Sequence, residues 1–242
     1  MPRRIQKTCY TLCVDNFAPA ITEITFPLMK RWADKHRYAF EIIDTRQWPQ
    51  YPPVYEKFQI YKRAEDRQDE FSIFFDADAM IHPDFFDPWE HIPKDHVFHN
   101  GSDMANMRWT YTNEFRRDGR NIAGGNWLTG ASEWTREIWE PALGVTISYE
   151  EALANIHPLV SELTSVITAS HLIDDYLTSR NIARYGLKFV ALMDLLVKLK
   201  VPGHFWHQYT MSPEKKVIQM QGMLGAGYTD DNGQVCKGWG LL

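Results

Sequence analysis

The chain has 242 residues, a formal net charge of −5 and 44% apolar residues, including thirteen Phe, eleven Tyr and nine Trp. That length can bury a sizeable core, and the acidity excludes a global attraction to nucleic acid or anionic membranes, leaving room only for a local basic patch. Cys9, Cys13 and Cys236 are odd in number and lack metal-ligand spacing, which points to a reducing compartment. After Arg3, Arg4 and Lys7 the apolar run reaches only from Cys9 to Val14, too short for a signal peptide or a transmembrane anchor. The expectation is a cytoplasmic protein, or a chain from which an anchor has been removed. Aromatic platforms suit sugars and nucleobases, although most of these rings belong in a core.

Lys7 to Val14 reads as a first strand, ending in the turn Asp15-Asn16-Phe17-Ala18-Pro19. Ile21, Ile24, Thr25, Leu28, Met29 and Trp32 follow helical spacing, and Tyr38 to Ile43 makes a second strand. That order implies a βαβ unit. The Pro- and aromatic-rich stretch from Asp44 to Tyr55 is long for a connection inside a compact domain, and such loops often carry function. Glu56 to Arg67 reads as a helix with Phe58, Ile60 and Tyr61 inward.

Phe71-Ser72-Ile73-Phe74-Phe75 is then the most informative run, with four apolar residues of five followed by Asp76-Ala77-Asp78. It reads as a strand buried on both faces, the kind found inside a parallel sheet. On extended backbone Asp76 and Asp78 project to the same side. Like charges that close need a cation between them, and a divalent metal with oxygen ligands supplies it. Open α/β sheets bind ligands at the carboxyl ends of their strands, where this pair falls.

Val97 to Asn100 reads as a short strand, and residues 101–120, with Arg108, Arg116, Arg117 and Arg120, as a substrate-facing or solvated loop. The glycines Gly124 and Gly125 before Asn126 mark either a close approach by a ligand or a bulge. Ala131 to Glu140 is expected as a helix with Ser132 at its N-cap. Pro158 to Ser170 and the stretch from His171 to Leu177 are expected as helices, and Lys188 to Leu192 as a strand. Val201 to Tyr209 should be extended. Ser212-Pro213-Glu214 starts the last helix, and residues 224–242 read as a Gly-rich surface tail. Without a linker or repeat, residues 1–242 read as one domain.

These features in this order resemble the GT-A fold of metal-dependent, nucleotide-sugar glycosyltransferases, from about Thr8 to about Gln219. The pieces are Cys13-Val14-Asp15-Asn16-Phe17, His36-Arg37-Tyr38, Glu56-Lys57-Phe58 and Phe74-Phe75-Asp76-Ala77-Asp78. Asp174-Asp175-Tyr176-Leu177 resembles the Asp-Glu-x-x-Leu helix of those enzymes with Asp in place of Glu. Trp206-His207-Gln208-Tyr209 resembles the segment of the late metal-binding His, without the Gly that often follows it.

The resemblance implies an α/β fold, a single Rossmann-like GT-A domain with a mostly parallel sheet flanked by helices. It implies a Mn²⁺ or Mg²⁺ ion on Asp76, Asp78 and His207, with His204 as the competing ligand. A nucleotide-sugar donor, expected as a UDP-sugar, would meet Cys13, Asp15, Asn16, Lys57, Asp76 and Lys215 or its neighbour Lys216. Gly124, Gly125 and Asn126 would face a hydroxyl acceptor, which a glycan, lipid, protein or modified nucleic acid could provide. Asp174 or Asp175 would act in catalysis or acceptor binding, with retention of configuration expected from the resemblance alone. Two rivals share some of these features. One is a haloacid-dehalogenase-type phosphatase, whose Asp-x-Asp-x-Thr/Val motif fails here at Met80. The other is a non-catalytic nucleotide- or glycan-binding module.

Overall fold

The computed structural model describes residues 5–100, 126–156, 168–202, 204–207, 211–229 and 233–241. The expected loop over 101–120 and the Gly124–Gly125 pair lie outside the described residues. So does the expected helix over 158–170, apart from its last three residues, which lie in a turn region.

Six strands form the central sheet: β1 (Lys7–Leu12), β2 (Ala39–Ile43), β3 (Phe71–Asp76), β5 (His96–His99), β6 (Leu128–Ser132) and β7 (Lys188–Ala191), in the order β2-β1-β3-β6-β5-β7. β1 runs parallel to both β2 and β3, and β5 parallel to β7, while β6 is antiparallel to β3 and β5. The apolar run of β3 is buried along its length up to the half-buried Asp76, as a strand covered on both faces requires.

Side-chain alternation divides the core between the two faces. Cys9, Ile73 and Phe75 join Met29 and Trp32 of α1 (Pro19–Lys35) and Leu192, Leu195 and Leu196 of α5 (Leu192–Leu199). Tyr10 and Phe74 point the other way, onto Ile60 and Ala64 of α2 (Ile60–Arg67), Trp139, and Ile182 of α4 (Ile173–Tyr185). Trp32 is wholly buried, and its Nε1 donates to the Phe85 carbonyl at 2.8 Å.

A third cluster joins Tyr55 and Phe58, on the 3-10 helix Pro53–Gln59, to Ala152 of α3 (Tyr149–Ala154) and to Ile173, Tyr176 and Leu177 at the start of α4. It locks the segment carrying Lys57 against the segment carrying Asp174. The stretch from Asp44 to Tyr55 is pinned by one buried carboxylate. Glu56, wholly buried, accepts from Arg46 Nε at 3.0 Å and from the backbone N–H groups of Gln47 and Trp48.

Several expectations need correction. Glu56–Arg67 is not one helix, because the 3-10 turn that turns Glu56 and Lys57 inward occupies its first part. Ala131 and Ser132 belong to β6, and only Arg136–Trp139 is helical, as a 3-10 turn. Pairing with β3 overrides the local helical signal there, and Ser132 Oγ accepts from the Trp134 N–H at 3.0 Å as the cap of a turn. α5 went unread, although Leu192, Leu195 and Leu196 have helical spacing. The Gly-rich stretch 224–242 is no loose tail in its described part. It forms a hairpin, β9 (Gly227–Thr229) with β10 (Val235–Lys237), and Trp239 and Leu241 pack against Met220 and Met223 of α6 (Pro213–Leu224). Among the described residues no helix is long and apolar enough to cross a membrane.

Gly130 faces Phe98 across the β5–β6 pair, and a Cβ built on it would lie 2.1 Å from the Phe98 ring. Phe98 is wholly buried against Trp89, so the ring has nowhere to swing. Gly130→Ala is expected to cost about 1–3 kcal/mol in urea unfolding, as overpacking of a filled core does.

Candidate metal and donor site

β3 stops at Asp76. The Asp76 N–H donates to the Trp127 carbonyl at 2.9 Å, and the Ala79 N–H closes a turn on the Asp76 carbonyl at 2.9 Å. Buried Thr25 of α1 donates to the Ala77 carbonyl at 2.5 Å and pins that turn from below. The chain then re-enters extended structure as β4 (Met80–Ile81), antiparallel to β8 (Phe205–Trp206) with Met80 opposite Trp206. That register puts Asp78 and His207 at the same end of the short ladder. The two aspartates therefore converge through a turn and a cross-strand pair, not through alternation on one strand as expected.

Asp76, Asp78 and His207 place one ligand atom each within 4.8 Å of one another. His207 Nε2 lies 3.1 Å from Asp78 Oδ1 and 3.9 Å from Asp76 Oδ2. Two ligands of one divalent ion, each about 2.1 Å from it, are at most ~4.2 Å apart, so His207 can share a cation with either aspartate as they stand. Two carboxylates with one imidazole suit Mn²⁺, and Mg²⁺ less well. The Trp127 ring stacks on His207, 5.1 Å between centroids at 16°, and sets its plane. His204 is not in the group. Its ring packs on His82 at 4.6 Å, at the other end of the β4–β8 ladder.

Lys216, buried on α6, ion-pairs with Asp78 Oδ2. Burial alone would raise the Asp78 carboxyl, but the hydrogen bonds and charges of His207 and Lys216 outweigh it and hold Asp78 well below the usual carboxylate range. Asp76, its side chain 31% exposed, is pushed upward by burial, against the pull of Lys57 and His207. Lys215 is exposed, so the inward lysine is its neighbour. The signal was available, because Lys216 shares the buried face of α6 with Met220 and Met223.

Lys57 is buried and bridges the aspartates to the far side of the site. Its Nζ lies 2.6 Å from Asp174 Oδ2 and 3.4 Å from Asp76 Oδ1, and donates to the Asn126 carbonyl at 2.9 Å. Burial alone would discharge it, yet Asp174 and Asp76 hold it charged. The Asn126 N–H donates to Asp175 Oδ1 at 3.0 Å, and its Nδ2 finds no acceptor among the described residues. Burial, then the charge of Asp174, push the Asp175 carboxyl well above its usual value. A raised carboxyl stabilises the fold at low pH and loses that contribution as pH rises through its folded value. Asp175→Asn is therefore expected to match or exceed wild-type stability at pH 8 and to lose its advantage at pH 5, read by thermal unfolding.

The turn after β1 lies at the same sheet edge, since Leu12 is opposite Asp76. Asp15 and Asn16 are exposed, with left-handed φ of 54° and 55°, and Asp15 pairs with Arg46 at 2.7 Å. Half-buried Cys13 donates its N–H to the Ile43 carbonyl at 2.9 Å, and its Sγ makes a long contact to the Phe17 carbonyl at 3.9 Å. Trp127, Thr25 and Arg46 were not singled out in the sequence as site residues.

No family model matches the chain, and no curated protein does. Among solved structures, a glycosyltransferase involved in the glycosylation of the major capsid of PBCV-1 matches with a TM-score of 0.50 at 11% identity, over 89% of this chain and 98% of that one. The fold is that of the GT-A glycosyltransferases. A mutant of Drosophila β-1,4-galactosyltransferase 7, in complex with manganese, UDP-Gal and xylobiose, matches at a TM-score of 0.36 and 12% identity, over 55% of this chain and 52% of that one. In the GT-A fold of this chain, the Asp-x-Asp turn, the late His and the start of α4 meet at the carboxyl edge of β1 and β3.

Proposed function

We propose that this chain is a metal-dependent glycosyltransferase that moves a sugar from a nucleoside-diphosphate donor, a UDP-sugar by preference, to an acceptor hydroxyl. The observation that carries the reading is the convergence of Asp76, Asp78 and His207 at the carboxyl end of β3. A bound Mn²⁺ or Mg²⁺ would neutralise the charge that grows on the leaving diphosphate. The protein's own groups bind and orient. Lys216 adds a fixed positive charge at Asp78, where a diphosphate would lie, and Lys215 is a second, exposed cation on the same helix. The Cys13-to-Asn16 turn is assigned to the nucleoside, because it stands beside Asp76 on the same edge.

Asn126 and Asp175 are assigned to the acceptor side, with Gly124 and Gly125 just ahead of them. A carboxyl raised by burial and by the charge of Asp174 beside it is the kind of group found where protons are moved. Cys9, Cys13 and Cys236 are all free thiols, which supports a cytoplasmic setting.

The test is a stability screen with Mn²⁺ and UDP-, GDP- and dTDP-sugars, coupled to donor hydrolysis and to a generic phosphatase substrate. A ligand at one hundred times its Kd adds about 2.7 kcal/mol of stability, which a thermal shift resolves. Mn²⁺-dependent stabilisation by one nucleotide-sugar, with slow release of its sugar, is the expected result. Phosphatase turnover without nucleotide-sugar binding would overturn the reading, and binding with no turnover would favour a non-catalytic module. The anomeric configuration of the released sugar, read by NMR, tells the expected retention from inversion.

A further inference from the structure

The Lys57 ammonium is shared unequally. It has three N–H donors and is 2% exposed, so buried partners must satisfy them. Asp174 Oδ2 takes one at 2.6 Å and the Asn126 carbonyl another at 2.9 Å. Asp76 Oδ1, at 3.4 Å, is beyond the usual N–H···O range, and the Phe74 ring sits beside the ammonium at 4.4 Å. The charge is thus drawn toward the first turn of α4 and away from the most exposed carboxylate of the Asp76–Asp78–His207 group. With its protons so placed, Lys57 has little left for the donor nucleotide, which the resemblance implied it would meet.

We propose that Asp174 is a positioning residue that tethers Lys57, keeping Asp76 open to a divalent cation. This rests on the metal-dependent reading given above. The physical reason is competition for one buried charge. Remove the charge of Asp174, and the strongest acceptor left within reach of Lys57 is Asp76. The ammonium then closes the 3.4 Å gap, and an incoming Mn²⁺ must displace a buried cation from one of its three ligands. It also divides the acidic pair: Asp174 is committed to Lys57, and Asp175, held among the described residues by the Asn126 N–H at 3.0 Å, is the carboxyl left to face an acceptor.

The tether has a sign that a merely structural role lacks. Mn²⁺, first alone and then with UDP, is titrated calorimetrically into the wild type, Asp174→Asn and the double variant Asp174→Asn/Lys57→Met. Asp174→Asn is expected to weaken Mn²⁺ binding about tenfold, the lower end of what loss of a metal ligand's supporting partner costs. Adding Lys57→Met should then tighten binding again, because the competing cation has gone. Equal affinity of wild type and Asp174→Asn, or weaker binding by the double variant than by Asp174→Asn, overturns the proposal. Metal-free urea unfolding gives an independent reading. Lys57→Met should destabilise the wild type more than it destabilises Asp174→Asn, and additive losses would also overturn the tether. If Lys57→Met alone does not fold, the order of Mn²⁺ affinities between Asp174→Asn and the double variant decides. A wild type that takes no Mn²⁺, alone or with UDP, overturns the metal reading instead, while the unfolding cycle still tells whether Asp174 holds Lys57.

Discussion

Asp78→Asn should remove cation-dependent stabilisation by any nucleotide-sugar and lower the affinity for Mn²⁺ by at least about 100-fold. Loss of an outer partner of a metal ligand already costs about 10- to 100-fold, and Asp78 is placed as a ligand itself. The substitution nearly preserves shape, so the loss reports charge. It has a second consequence without metal, because Asp78 is the partner of buried Lys216. A hydrogen bond to a charged group contributes about 1.5–3 kcal/mol, and the metal-free variant should lose about that much in urea unfolding. The sign of its pH dependence follows from the depressed Asp78 carboxyl. Such a group stabilises above its unfolded value and loses that contribution as pH falls toward its folded value. Wild type and Asp78→Asn should therefore converge in stability on strong acidification. A variant that keeps its Mn²⁺ response would remove Asp78 from the site.

Lys57→Met is expected to destabilise the protein by about 3–5 kcal/mol at neutral pH, the usual result of removing one partner from a buried ion pair. Methionine nearly fills the same volume, so the loss is not a cavity effect. It arises because Asp174, Asp175 and Asp76 are left on one side of the site without their shared cation. Burial and mutual repulsion already raise Asp175 and Asp76 in the wild type, and the substitution should raise them further. Folded values above the unfolded ones mean that the penalty is full at high pH and shrinks as these carboxyls protonate. Lys57→Met should thus regain stability between about pH 7 and pH 4, where an ordinary aspartate begins to titrate. Chemical denaturation at both pH values checks this, and a penalty unchanged by pH would mean that packing, not charge, is what Lys57 provides.

Much of the sheet could be read in advance because its signals are local. The β3 run is apolar on both faces of the strand, and α1 carries its apolar residues at helical spacing, so each states its own burial. The misread elements are those where local and tertiary preferences disagree. Ala131 and Ser132 carry no strong strand preference, and their extended form comes from pairing with Phe71 and Ser72. The Gly-rich stretch after α6 has the composition of a tail. It becomes a hairpin because Tyr228, Trp239 and Leu241 find the apolar face of α6 to cover.

At the site, residue types, chain order and the family resemblance named Asp76, Asp78, His207, Asp174 and Asp175 as candidates. Acidic pairs at the end of a buried strand and at a helix start are unusual enough to stand out in one dimension. The tertiary structure alone decided which partner each of them has. It turned His207 toward the aspartates and left His204 against His82. It brought Lys216 inward and left Lys215 in solvent. It also made Lys57 a bridge between Asp76 and Asp174, 117 residues apart from the latter in the chain. The physical reason is common to all three. A charge in water needs no particular neighbour, but a buried charge must be matched within about 3–4 Å, and only packing determines which group lies at that distance.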